Sequence, residues 1–224
     1  MNIKIFIKNR LFVCLLLQIS LSSFAQNKPF EGEIKAFAKS DSIVAPLQGK
    51  IVFAGSSSFA KWKDINQYFP GYPIINRGFG GSNLLDVILY VNETITKYKP
   101  KQVVIYCGEN DITSSNGVTG KIVLERFRLL YLHIREKFPT TDIYYISLKP
   151  CPLKWEMRER ILDANYRIAD FCKKQKHTYF ISIWNQMLIN SKPNPSLFIN
   201  DSLHMNIKGY EIWTKEIRKK VKIN

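Results

Sequence analysis

Cysteine is scarce in this chain: four in 224 residues, with Cys14 inside an apolar N-terminal block. The other three, Cys107, Cys151 and Cys172, form an odd, sparse set, which excludes a disulfide framework. No two have metal-ligand spacing, and one bridge among them stays open. Histidine is scarcer, with three residues in all, so any histidine chemistry must use His133, His177 or His204. Acids are also short, 18 against 33 Lys and Arg, giving a formal net charge of +15. Such a charge would attract nucleic acid, acidic glycans or anionic membrane. However, the basic residues are spread along the chain, with one modest cluster at Lys215, Arg218, Lys219, Lys220 and Lys222, and no nucleic-acid motif accompanies them. We read a basic solvated surface and expect no nucleic-acid partner. Repeats, low-complexity tracts and long Pro/Gly linkers are lacking as well, so nothing divides the chain into several domains.

No apolar run reaches the roughly 20 residues of a membrane-spanning helix. Leu11 to Phe24 comes nearest, at about 14 residues. It follows Lys4, Lys8 and Arg10 and ends in Ser22-Ser23-Phe24-Ala25 before Gln26, a small-residue cleavage pattern. Residues 1–25 therefore read as a secretory signal peptide, with an uncleaved anchor as the alternative. Cys14 does not mark a lipoprotein, because Leu11-Phe12-Val13 lacks the small residue expected before a lipidated cysteine. Removal of residues 1–25 leaves a chain of about +12, expected outside the cytoplasm, secreted or periplasmic, with no stable membrane insertion.

What remains is rich in apolar side chains. The whole sequence is 46% hydrophobic, enough for one well-buried core. Five short apolar runs recur: Ile51–Ala54, Pro73–Asn76, Gln102–Cys107, Asp142–Leu148 and Thr178–Ile183. Helical patterns separate them. Val123, Phe127, Leu130 and Ile134 step by 4, 3 and 4 residues along one helical face. Leu84 to Tyr98 and Arg158 to Lys174 look similar, and Tyr210, Trp213, Ile217 and Val221 share one side of a last helix that Asn206 is placed to cap. A leading helix covers Glu31 to Ala38. Strand–helix alternation predicts right-handed crossovers and a parallel sheet, in one doubly wound α/β domain over residues 26–224.

Ligands of such sheets bind beyond the carboxyl ends of the strands. After the first run come Gly55, which permits a sharp turn, and the hydroxyls Ser56, Ser57 and Ser58. After the second comes Arg77-Gly78-Phe79-Gly80-Gly81-Ser82, and after the third Gly108-Glu109-Asn110-Asp111. Beyond the fifth lies Asp201-Ser202-Leu203-His204. A serine becomes nucleophilic only with a base. His133 falls inside an amphipathic helix and His177 at the wrong end of the sheet, which leaves His204. Asp201 can orient that imidazole. Gly81 and Asn110 can offer N–H groups to an oxyanion, as can the Ser57 backbone N–H. Taken singly, each motif has a blander reading: a helix-capping loop for Asp201 to His204, a turn or phosphate cradle for the glycines, an Asx turn for Asn110. Neither GxGxxG nor a Lys-Ser/Thr context supports the phosphate cradle.

Together these blocks resemble the SGNH hydrolase superfamily, the GDSL lipases/acylhydrolases, and most nearly the branch similar to platelet-activating-factor acetylhydrolase. Four blocks occur in the family order: Phe53-Ala54-Gly55-Ser56-Ser57, Asn76-Arg77-Gly78-Phe79-Gly80-Gly81, Gly108-Glu109-Asn110-Asp111 and Asp201-Ser202-Leu203-His204, the last followed by Asn206 and Gly209-Tyr210. The resemblance implies a flavodoxin-like five-stranded sheet. It implies a Ser57–His204–Asp201 triad, an oxyanion hole of Ser57, Gly81 and Asn110, and neither metal nor organic cofactor. Ser56 departs from the family's usual Asp before the nucleophile.

No long apolar insertion forms a lid, which favours short acyl groups, acetyl foremost. Trp62 and Trp155 follow the first and fourth strands and are candidates to carry a sugar ring, with core packing as the alternative. We therefore expect a secreted esterase acting on a small-molecule or glycan ester. A lysophospholipase with the same triad, and a non-catalytic glycan-binding protein on the same fold, are the competing readings.

Overall fold

The computed structural model describes residues 28–223. The expected signal peptide, with Cys14, lies outside them. The five apolar runs form five parallel strands: β1 (Ile51–Gly55), β2 (Ile74–Gly78), β3 (Gln102–Tyr106), β4 (Asp142–Ile146) and β5 (Thr178–Ile181). Their order in the sheet is β2-β1-β3-β4-β5. Every residue of β1 and β3 is buried, because helices cover both faces of the central strands. The edge strand β2 is half covered, and there Asn76 and Arg77 interrupt the apolar pattern.

The helices are α1 (Glu31–Ile43), α2 (Ser57–Ala60), α3 (Ile65–Tyr68), α4 (Leu84–Leu89), α5 (Val91–Thr94), α6 (Glu109–Ser114), α7 (Gly120–Lys137), α8 (Arg158–Lys174) and α9 (Ile207–Lys220). The chain steps left from β1 to β2 and right at each later crossover. Right-handed crossovers therefore place α2 and α3 on one face and the helices of the later crossovers on the other. Packing agrees: α4, α7 and α8 form one layer. On the opposite face α9 meets the β1–β2 connection, with Trp62 stacked on Tyr210 (centroids 4.6 Å apart) and Trp213 edge-on to Phe59 at 6.0 Å. Val123, Phe127, Leu130 and Ile134 are all buried under α7, and Asn206 caps α9 by accepting from the Gly209 N–H at 3.3 Å.

Three expectations need correction. Leu84 to Tyr98 is not one helix. It breaks at Tyr90 (φ −109°, ψ 23°) and again at Ile95 (φ −131°, ψ −64°), ending in a 3₁₀ turn at Thr96–Tyr98. Val91, Thr94, Ile95 and Thr96 are β-branched, and the Thr94 hydroxyl donates back to the Tyr90 carbonyl at 2.7 Å, both of which weaken a helix. The Tyr90 hydroxyl is drawn away to the Pro29 carbonyl at 2.7 Å. Trp62, expected near the reactive edge, is wholly buried among Tyr68, Phe69, Tyr210 and Trp213. It is a core residue and presents no face to a substrate. The leading helix also runs on past Ala38 to Ile43.

At the end of β1, Gly55 has φ +146° and lies against β3. A Cβ there would stand 2.7 Å from the Tyr106 carbonyl carbon and nearer still to its oxygen. Gly55→Ala is expected to lower the unfolding free energy by ~3 kcal/mol or more, from strain and overpacking together. Denaturant titration of the variant checks this; parental stability would refute it.

Candidate active site

The β1 and β3 ends flank the point where the chain's crossovers diverge, where doubly wound sheets open a crevice. The Ser56 N–H donates to the Tyr106 carbonyl at 3.0 Å, which holds the turn between β1 and α2. The Asn76 amide donates to the Phe59 carbonyl at 2.8 Å and the Trp62 carbonyl at 3.3 Å, pinning the segment that begins at Ser57. Of the three hydroxyls, Ser56 and Ser58 are buried. Ser58 faces inward, its Oγ 3.5 Å from Lys149 Nζ and its carbonyl accepting from the Tyr210 hydroxyl at 2.9 Å. Ser57 is half-exposed, and its Oγ is 2.9 Å from His204 Nε2.

His204 is delivered by the loop before α9. The loop is tied at its base by the Ile199 N–H to the His204 carbonyl (2.9 Å) and the Asn206 N–H to the Leu197 carbonyl (3.0 Å). Ser202 takes a left-handed conformation, φ +57°, which turns Asp201 back toward the imidazole. Asp201 Oδ2 is 2.6 Å from His204 Nδ1, and Oδ1 accepts from the backbone N–H groups of Leu203 (2.9 Å) and His204 (2.8 Å). Burial raises the Asp201 pKa, but the His204 hydrogen bond and these two N–H donors outweigh it and hold the carboxyl down at about 2. An ionised acceptor at Nδ1 requires a proton there, so Nε2 presents its lone pair to the Ser57 hydroxyl. The other two histidines lie apart. His133 is exposed on α7, and His177 pairs with Asp142 at 3.1 Å at the opposite end of the sheet.

The glycine loop closes on the same crevice. The Phe79 N–H bonds the Gly55 carbonyl at 3.0 Å, and the Ser82 hydroxyl reaches the Phe79 and Gly55 carbonyls at 3.0 and 3.3 Å. Gly81 is exposed, and the nearest atom to a Cβ placed on it would be Asn110 Nδ2 at 4.0 Å. Asn110 Nδ2 donates to the Ser82 carbonyl at 3.1 Å. The structure thus gathers Ser57, His204, Asp201, Gly81 and Asn110 at one edge. Trp155 stands on the segment after β4, half-buried and stacked on Trp184 at 6.0 Å, with the Arg158 guanidinium 5.5 Å from its ring. Its neighbour Leu153 donates its N–H to the Ser202 carbonyl at 3.2 Å, so this segment abuts the histidine loop.

Sequence reasoning missed a buried ionic cluster beneath the crevice. Lys149 Nζ lies 2.6 Å from Glu109 Oε2, with both side chains almost fully buried, and 3.2 Å from the Tyr106 hydroxyl. Lys154 Nζ lies 3.4 Å from Glu109 Oε1. The signal was present: the loop after β4 opens with a lysine directly behind a buried apolar strand, where a free ammonium would be costly. Burial alone would push Glu109 up, but the two ammonium groups and the Tyr106 hydroxyl outweigh it and hold it down at about 2. Among the described residues the three cysteines, Cys107, Cys151 and Cys172, are free, buried thiols, and desolvation pushes Cys151 and Cys172 up to about 12, which leaves them unreactive.

The GDSL-like lipase/acylhydrolase family model matches residues 41–212, and the chain belongs to that family. No curated protein sequence matches it significantly. Solved structures share the fold at low identity. A protein from Streptococcus pneumonia whose name refers to platelet activating factor is 18% identical, with a TM-score of 0.74 over 94% of this chain and 98% of its own. A GDSL-like lipase from Bacteroides thetaiotaomicron is 21% identical, with a TM-score of 0.71 over 83% and 95%. A carbohydrate esterase of family 3 from Talaromyces cellulolyticus is 14% identical, with a TM-score of 0.60 over 77% and 96%. Family and fold together identify a hydrolase of the esterase/acylhydrolase class.

Glu109 titrates below its ordinary 4.5 in the folded state, so its contribution to stability is complete above that pH and is lost as the pH falls toward about 2. Glu109→Gln is expected to lose ~3–5 kcal/mol at neutral pH, because it leaves a buried lysine uncompensated. The gap to the parent should narrow between pH 4.5 and pH 2. Urea titrations across that range test this, and a constant gap would contradict it.

Proposed function

We propose that this protein is a serine esterase that removes short acyl groups, acetyl foremost, from small-molecule or glycan esters outside the cytoplasm. The observation that carries the reading is the relay from Asp201 through His204 to Ser57, with contacts of 2.6 and 2.9 Å. Ser57 Oγ attacks the ester carbonyl while His204 Nε2 takes its proton. The tetrahedral oxyanion is held by the N–H groups of Ser57 and Gly81 and by Asn110 Nδ2. His204 then protonates the departing alcohol, and water, activated by the same imidazole, releases the acid and regenerates Ser57. Asp201 stays ionised throughout and stabilises the imidazolium. The likeness to a carbohydrate esterase supports a glycan ester, and Trp155, beside the histidine loop, is the aromatic side chain we assign to the sugar. The reading takes residues 1–25 as a cleaved signal peptide and involves no cofactor and no nucleic-acid partner.

A lipid acylhydrolase is the second reading. Leu153 favours it: this leucine is 61% exposed on the segment bonded to Ser202.

Hydrolysis of p-nitrophenyl acetate and p-nitrophenyl octanoate by the mature chain separates the two. Acetate is expected to be preferred, and Ser57→Ala to lose at least ~10³-fold in kcat, since the covalent step disappears. A preference for octanoate would move the assignment to lipids. Full activity of Ser57→Ala would overturn the nucleophile, and inactivity of the parent on both esters would revive a binding role. Gly81→Ala meets no neighbour closer than 4.0 Å. It is expected to keep the parental melting temperature while losing ~10-fold or more in kcat, by crowding the oxyanion.

A further inference from the structure

Glu109, Lys149 and Lys154 carry one negative and two positive charges. One lysine suffices to neutralise the buried glutamate, and Lys149 does so at 2.6 Å, with Tyr106 donating to the same oxygen at 2.5 Å. Lys154 is therefore an excess cation whose side chain is only 9% exposed. Its burial is costly, and neutralising Glu109 does not require it.

Its position shows what it serves. Lys154 Nζ donates to Asn110 Oδ1 at 3.1 Å, and Glu109 Oε1 lies 3.4 Å from the same ammonium as an ion-pair partner. On the other side of the amide, Nδ2 donates to the Ser82 carbonyl at 3.1 Å. An ammonium has no lone pair to give, and a carbonyl has no proton. Both partners therefore demand one orientation of the Asn110 amide, with the oxygen toward Lys154 and the nitrogen toward Ser82 and Gly81. One N–H of Nδ2 is spent on Ser82, and among the described residues the second has no partner. A cation on the carbonyl side also draws electron density from the amide and makes that second N–H a stronger donor.

We propose that Lys154 is a positioning residue for the reaction: it locks the Asn110 amide with its free N–H facing the developing oxyanion and sets a net positive charge behind it. This rests on the reading of Asn110 as an oxyanion donor. The Lys149–Glu109 pair is its anchor. Glu109 keeps Lys154 in place, and Lys149 cancels the glutamate charge that would otherwise oppose an anion forming nearby.

The test is a double-mutant cycle on p-nitrophenyl acetate with Lys154→Met, Asn110→Ala and both together, with melting temperatures recorded. Lys154→Met leaves Glu109 paired with Lys149, so folding is expected to survive. We expect kcat to fall about 10-fold with KM within about twofold, and the same change to cost less than about twofold once Asn110 is alanine. Lys154→Gln, which retains a donor but no charge, is expected to lose about threefold and serves if the methionine variant does not fold. Parental kcat in the Lys154 variants, beside a 100-fold loss in Asn110→Ala, would overturn the role of Lys154 while leaving the oxyanion hole intact. An equal loss in both backgrounds, or a change in KM alone, would also overturn it. Parental kcat in Asn110→Ala would remove the oxyanion reading itself, and this proposal with it.

Discussion

The contact between Gly55 and the Tyr106 carbonyl governs the geometry of the reactive edge. β1 and β3 are the strands on which the sheet's crossovers diverge, and here they come closer than any side chain permits. Ser57 follows two residues after the contact on one strand, and Asn110 four residues after it on the other. The glycine loop hangs from the same place, because the Gly55 carbonyl accepts from both Phe79 and Ser82. Ser57, Gly81 and Asn110 are thus referred to one fixed point in the backbone. Only His204 and Asp201 arrive independently, on a loop held by its own backbone hydrogen bonds.

The site is built from two kinds of electrostatic environment. Asp201 is partly open to water and stays ionised because three N–H donors converge on it, not because the site is dry. Glu109, deeper, stays ionised because lysine ammonium groups, Lys149 foremost at 2.6 Å, lie against it. The first arrangement sets the imidazole tautomer. The second fills the floor with charge that is internally compensated, save for one ammonium that bonds the Asn110 carbonyl oxygen. Most of the chain's excess positive charge remains on the solvated surface, apart from this chemistry.

Much of this was legible in the sequence. Runs such as Ile51–Ala54 and Gln102–Cys107 are apolar on both faces, and only a strand covered on both sides needs that. The stepped apolar residues of α7 and α9 described their buried faces residue by residue. The loops after the first, second, third and fifth strands supplied Ser57, Gly81, Asn110 and His204. Trp62 was misplaced because an aromatic near a strand's end can turn inward or outward, and only the packing of α9 decides which. The break at Tyr90 was hidden because apolar spacing reports which face is buried, not whether the backbone hydrogen bonds continue.

The sequence by itself determined the element types and the parallel α/β class, and it named the candidate site residues, because periodicity and loop chemistry are local properties of the chain. Tertiary structure alone decided how Ser56 and Ser58 turn inward while Ser57 meets the histidine, which tryptophan is core, and how Lys149 and Lys154 share a glutamate 40 residues or more away. Those outcomes depend on distances between side chains from separate strands, and such distances exist only once the sheet has closed.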